Sequence, residues 1–193
     1  MNDTLTRGSW QAWLPWLILL GGTALLQGLD AYLPLRLGFP PTLAQCYRLC
    51  TCHFVHLNFH HWLVDALALL VLAWLFVAVF DWKRWLLTLL IGGACVSLGL
   101  LLWHPGLHSY AGLSGVLHAF YVTGSLLLWR RQPRLTSLLI GVLVLKLAIE
   151  PFTGSLLQGA AGFPVATLAH DYGAFGGLLS GLLWLSLYAR RRH

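Results

Sequence analysis

The chain has 193 residues, 58% of them hydrophobic and 9% charged, with a mean hydropathy of +0.73. Soluble domains carry about 45–50% apolar and about 25% charged residues, so an ordinary water-soluble globule is excluded. A disordered or collagen-like chain is excluded too, because apolar content is high and the 20 glycines show no triplet period.

Six apolar stretches follow one another, at about 11–29, 61–80, 85–103, 113–129, 135–149 and 166–189. A membrane-spanning helix needs about 20 mostly apolar residues, with a range of about 17–25. Seven prolines (Pro34, Pro40, Pro41, Pro105, Pro133, Pro151 and Pro164) fall between the stretches, and only Pro15 sits inside one. The expected architecture is an all-α membrane protein of six transmembrane helices in one domain, 1–193, with no soluble extension and no internal repeat. Arg7 ahead of the first stretch resembles the start of a signal peptide. No small-x-small cleavage site follows, so the stretch is expected to be a retained helix. The fifth stretch is short and ends at Lys146, whose long stem is expected to snorkel to the interface.

The charge pattern sets an orientation. With the N-terminus inside, the cytoplasmic segments hold Arg7, Lys83, Arg84, Arg130, Arg131, Arg134, Arg190, Arg191 and Arg192, and the outer ones hold Arg36, Arg48 and Lys146. Nine against three accounts for all 12 basic residues and predicts that both termini are cytoplasmic. The net charge of +6 therefore requires no nucleic-acid partner. Cys46, Cys50 and Cys52 cluster in one outer loop, where a bridge would need an oxidising compartment, while Cys95 is expected in the core. Their spacing is not a zinc pattern.

Stretches two, four and six run inward from the outer face, and each opens with polar groups: His56, His60, His61 and Asp65; Ser114 and His118; His170 and Asp171. Intramembrane ionisable groups cost about 2.5–3.5 kcal/mol on insertion scales and so face a partner or a water-filled cavity. Three segments placing such groups at one depth form a constellation. Gly112-Leu113-Ser114-Gly115 sets a hydroxyl between two residues without side chains, at a helix start whose N–H groups lack intrahelical acceptors. Taken alone it reads more readily as a small-residue packing motif than as a nucleophile. His170 shares a helical face with Gly173 and Gly177, which lets the sixth helix press on a neighbour with the imidazole aimed at it. A lone histidine there would be an interfacial residue bonded to a loop carbonyl. Paired in depth with Ser114, it reads as the general base of a serine nucleophile.

His61 and Asp65 share a face at i, i+4, as do His56 and His60, and could supply oxyanion donors or, alternatively, metal or haem ligands. No HExxH is present. His104 and His108 are expected to be solvated loop histidines, and the tryptophans mainly interfacial anchors.

These residues resemble the rhomboid family of intramembrane serine proteases. The matching elements are His56 to Asp65 in the second stretch, Gly112-Leu113-Ser114-Gly115 in the fourth, and Ala169-His170 with Gly173 and Gly177 in the sixth. A narrower resemblance is to rhombosortases, bacterial rhomboids that process a C-terminal Gly-Gly sorting tail. It rests on the small size, on His118, on His53 to Asn58, and on the run from Lys146 through Glu150 to Gly154. The resemblance implies a rhomboid-like bundle in the bacterial inner membrane, with a site opening toward the periplasm. It implies Ser114 as nucleophile, His170 as general base and acid, and His61 with the N–H groups of Leu113 and Ser114 as oxyanion donors. No cofactor or metal is implied. Substrates would be single-span proteins with glycine-rich C-terminal tails, with water or an amine as the acyl acceptor. The family usually carries asparagine where Asp65 stands. An ionised carboxylate would repel an oxyanion, so Asp65 is neutral, turned away, or replaced in its role by His60 or Asn58. Rival classes are a haem- or metal-binding protein, a proton relay through Asp65 and His170, and an inactive rhomboid-like binding protein.

Overall fold

The computed structural model of the protein describes residues 10–153 and 167–190, the side chains of 188–190 aside. Arg7, Gly154, Pro164, Arg191 and Arg192 lie outside the described residues. The elements run α1 (Trp10–Gly28), α2 (Tyr32–Leu35), β1 (Leu37–Gly38), α3 (Arg48–Thr51), α4 (Phe59–Phe76), α5 (Trp82–Trp103), β2 (Ser109–Tyr110), α6 (Ser114–Leu128), α7 (Pro133–Thr153) and α8 (Leu168–Arg190). Single 3₁₀ turns occupy Leu43–Gln45 and Cys52–Phe54. Among the described residues the architecture is all-helical apart from one two-residue antiparallel pair, Leu37 opposite Tyr110 and Gly38 opposite Ser109. Helices α4, α5 and α7 are each long and apolar enough to cross a membrane, whereas α6, also apolar, has 15 residues.

Local chemistry sets the helix starts. Asn58 is extended, and its Oδ1 accepts the His61 N–H at 2.8 Å, so α4 begins at Phe59. Asp81 caps α5 in the same way, accepting the Arg84 N–H at 2.9 Å. Because Asn58 fixes the boundary, His56 lies before the helix, and the expected i, i+4 pairing of His56 with His60 does not form. His56 is buried while His60 is exposed.

Two apolar clusters hold the helices together. In the larger, Trp16 of α1 meets the rings of Phe80, Trp85 and Phe120 at centroid distances of 4.9–6.1 Å. Trp16 and Trp85 are thus core residues and not the interfacial anchors expected of them. The smaller cluster gathers Leu37, Cys52, Val96, Leu100, Tyr110 and Ala169 beneath the two-stranded pair. All four cysteines are free thiols. Cys52 is buried near the Ser97 hydroxyl, and burial pushes its thiol up to about 12. Cys95, expected in the core, is only half-buried. Side chains also stitch the helices by hydrogen bonds: buried Thr88 to Ser180 at 2.9 Å, buried Thr123 to the Gly177 carbonyl at 2.9 Å, and half-buried Tyr121 to the Leu139 carbonyl at 2.8 Å.

Glycines bring α8 against α6 at backbone distance. A Cβ at Gly173 would overlap the Gly115 carbonyl, and one at Gly177 would lie 2.5 Å from the Ala119 carbonyl. On the other side of α8, a Cβ at Gly176 would stand 2.9 Å from the Gly92 Cα of α5. Overpacking of a tight core costs about 1–3 kcal/mol, and Gly173 meets backbone that cannot rotate away. Gly173→Ala should therefore lower the thermal midpoint in detergent markedly. Gly141→Ala on α7, where the added Cβ meets no atom of a neighbouring element within 4 Å, should not lower it.

Candidate active site

The starts of α4, α6 and α8 meet at one level, and α7 delivers its last turns to the same place. Ser114 is the first residue of α6, after a tight loop held by three hydrogen bonds. The Gly112 N–H donates to the Cys52 carbonyl at 3.0 Å, the Tyr110 hydroxyl donates to the Gly112 carbonyl at 3.0 Å, and the Leu113 N–H donates to Asp65 Oδ2 at 3.0 Å. Burial pushes the Tyr110 hydroxyl well above the usual phenol range, which keeps it a donor. Gly112 has φ +135°, a conformation that strains any residue with a side chain. The His61 ring also lies against it, with two ring atoms 3.0 Å from where a Cβ would stand.

His170, buried in the first turn of α8, places Nε2 3.0 Å from Ser114 Oγ. On its other side, Nδ1 lies 2.8 Å from Glu150 Oε2. A carboxylate only accepts, so Nδ1 carries the proton, Nε2 carries the lone pair, and Ser114 Oγ–H donates to it. Glu150 is 2% exposed, and its second oxygen accepts from Lys146 Nζ at 2.5 Å. Lys146 also donates to His118 Nε2 at 3.0 Å, and His118 Nδ1–H donates to the Ser114 carbonyl at 2.7 Å. The His118 and His170 rings stack with centroids 4.2 Å apart and planes 17° from parallel.

Lys146 therefore does not snorkel. The α7 helix extends to Thr153, beyond the expected end near 149, which leaves Lys146 two turns inside and facing partners that satisfy it. Lys146 and Glu150 belong to the motif of the narrower resemblance, which does not by itself place them at the site. The readable signal was an i, i+4 Lys–Glu pair at the end of an apolar stretch.

His56, His61 and Asp65, at and just before the start of α4, form a second polar group beside the first. Asp65 Oδ2 accepts from the Leu113 N–H and from His56 Nε2–H at 3.1 Å, and His61 Nε2 stands 3.8 Å away, beyond hydrogen-bonding distance. The Leu113 N–H, expected to face an oxyanion, is thus held by Asp65. The Ser114 N–H, at the first helical position, has no intrahelical acceptor. Asn58 Oδ1 is engaged in capping α4, His60 lies on the exposed side with its ring near Phe59, and Asp171 is also exposed. His104, expected to be solvated, is half-buried and pairs with the Tyr172 hydroxyl at 3.0 Å, while His108 is exposed. Burial pushes His53 down to about 4, and its Nε2 pairs with Ser97 at 2.9 Å. Among the described residues, no group of three or more His, Cys, Asp or Glu side chains converges as metal ligands.

Asp65 thus anchors the nucleophile loop. Removing an acceptor from a buried donor costs about 1–3 kcal/mol, and Asp65→Ala would strand two such donors, the Leu113 N–H and His56 Nε2–H. Asp65→Ala should lower the thermal midpoint clearly. Asp65→Asn, whose carbonyl can still accept from Leu113, should lose less than half as much in the same melt.

Comparison with known proteins identifies a family. A family model, the rhomboid domain, matches residues 43–187, which include the polar residues of α4, α6, α7 and α8. No curated protein matches the chain. With apolar helices long enough to cross a bilayer and a match over most of its length, the chain is a multi-pass membrane protein belonging to the rhomboid family of intramembrane serine proteases.

Proposed function

We propose that the protein cleaves single-span membrane proteins near the periplasmic face of the bacterial inner membrane, at a C-terminal Gly-Gly sorting tail, with Ser114 as nucleophile and His170 as general base. Six spans with both termini in the cytoplasm would put the starts of α4, α6 and α8 at the outer leaflet. The observation that carries the reading is the 3.0 Å approach of His170 Nε2 to Ser114 Oγ, with the imidazole in the tautomer that can take a proton there.

In this reading the substrate helix unwinds at its glycines, where the backbone has least to lose from leaving the helix. Ser114 Oγ attacks the scissile carbonyl carbon as its proton passes to His170 Nε2. The carbonyl π pair moves onto oxygen, and the Ser114 N–H and His61 face that oxyanion. Collapse breaks the C–N bond, and the imidazolium returns its proton to the leaving amine, which leaves an ester on Ser114. Water or an amine, deprotonated by the same imidazole, attacks the ester and regenerates the hydroxyl. The residues at hand complete this cycle without a cofactor. The narrower features, His118 and the Lys146–Glu150 run, support the Gly-Gly tail as substrate through the resemblance they carry; His118 bonds the Ser114 carbonyl and Glu150 bonds His170.

Co-expression with a reporter ending in Gly-Gly, an apolar helix and a basic tail tests the proposal. Release should occur with the wild type, fall to background with Ser114→Ala and with His170→Ala, and fail when the glycine pair is replaced. His61→Ala should slow release by about 10²–10³-fold, the cost of one oxyanion donor, with the fold intact. Serine-dependent release indifferent to the glycines would discard the tail specificity. Absence of release by well-folded wild type would discard the protease reading in favour of a binding role.

A further inference from the structure

We infer that Glu150 is a positioning residue for His170, so that the working unit is a Ser114–His170–Glu150 triad, with the carboxylate itself fixed by Lys146. The inference rests on the protease reading above and deepens it. Starting at Ser114 Oγ, the hydrogen bonds run through His170 to Glu150, on to Lys146, then to His118, and end on the carbonyl of Ser114 itself. Each link has one allowed direction. Ammonium only donates and carbonyl only accepts, so His118 must carry its proton on Nδ1 and present the Nε2 lone pair to Lys146. Glu150 only accepts, so His170 must carry its proton on Nδ1. The 3.4 Å approach of Lys146 Nζ to His170 Nδ1 is therefore a contact between two donors, both directed at the same carboxylate.

This polarity performs a task that stability alone does not demand. Without an acceptor at Nδ1, a neutral imidazole can carry its proton on either nitrogen, and with the proton on Nε2 it cannot serve Ser114 as a base. When Ser114 gives up its proton, an imidazolium forms in a nearly water-free place, and the carboxylate at 2.8 Å is the group positioned to offset that charge. Burying an ion pair is weak support for a fold, since apolar side chains of similar volume often serve as well or better. Glu150 is one of only three buried residues along α7, with Thr136 and Leu143, and it is the one aimed at the imidazole. The stacked His118 ring closes off one face of His170, so the imidazole is fixed in plane as well as in tautomer.

The test uses full-length purified protein, a fluorophosphonate probe that labels a reactive serine, and the tail reporter. Glu150→Gln should reduce the labelling rate at Ser114 and the kcat for reporter cleavage by about 10²–10⁴-fold, the range of a general base. KM should barely move. Glu150→Asp should recover part of the loss. In ¹⁵N-histidine spectra, the far-downfield Nδ1–H resonance of a carboxylate-bound imidazole should be present in wild type and Ser114→Ala and missing in Glu150→Gln. Should the single variant not fold, Lys146→Met/Glu150→Gln removes both charges together, leaves no orphan ion, and should show the same kinetic loss with its melt retained. Wild type that labels while a folded Glu150 variant labels equally fast overturns the triad and leaves the dyad standing. Wild type that neither labels nor cleaves overturns the protease reading and this role with it.

Discussion

The molecule depends on the place where α8 rests on α6 backbone to backbone. Gly173 faces the Gly115 carbonyl with no room for a single carbon between them, and Gly177 repeats the contact one turn on at Ala119. That approach fixes the distance between the start of α6, where Ser114 stands, and the first turn of α8, where His170 stands. Side chains of ordinary size at these positions would hold helices about 8–10 Å apart and carry the imidazole out of reach of the hydroxyl. The Thr123 bond to the Gly177 carbonyl and the Thr88–Ser180 pair keep α8 from rotating on this seam. The geometry of the reacting pair is therefore a property of helix packing and not of a loop.

The rest of the polar group follows from having put a hydroxyl and an imidazole where water is scarce. Each of their remaining hydrogen-bonding atoms must find a protein partner. His170 Nδ1 finds Glu150, whose charge requires a cation, and Lys146 one turn back on the same helix supplies it. Lys146 in turn needs acceptors and takes a second one from His118. The result is a neutral ion pair shared among three neutral side chains, with no net charge left in the apolar interior. The His56–Asp65 pair stands one helix away. Its carboxylate holds the nucleophile loop through the Leu113 N–H, so the residue that departs from the family's usual asparagine has a structural partner in this chain.

How much of this the sequence revealed varies with the kind of signal. Long apolar runs are a strong signal, and the helices lie within a few residues of where hydropathy places them. Ser114, His170, His61, Asp65 and His118 stand out in the sequence because polar groups contrast with an apolar background, and the structure brings them to one end of the bundle. What hydropathy does not show is where a helix ends and what claims each polar side chain. Asn58 and Asp65 look free to face an oxyanion, yet a helix cap and a backbone N–H claim them. Lys146 looks like an interface anchor when its helix is taken to end there, and the extra turn to Thr153 reverses its meaning. Trp16 and Trp85 look like belt residues by composition, but their rings fill the space between α1, α5 and α6.

The position of Glu150 also explains the character of α7. Apart from Thr136, Leu143 and Glu150, this helix is only partly covered by the bundle, and its outer residues present Leu138, Val142, Val144 and Leu145 to the surroundings. Lipid is as apolar as these side chains, so burial gives little reason for α7 to lie where it does. Directional contacts supply that reason. The Tyr121 bond to the Leu139 carbonyl anchors its middle, and the Glu150–Lys146 pair anchors its end to residues on α6 and α8. In a medium without a hydrophobic force between helices, the same hydrogen bonds that orient His170 also dock α7. A displacement of α7 would then withdraw the carboxylate from the imidazole as it breaks the docking contact, so the position of this helix and the competence of the base are set by one group of atoms.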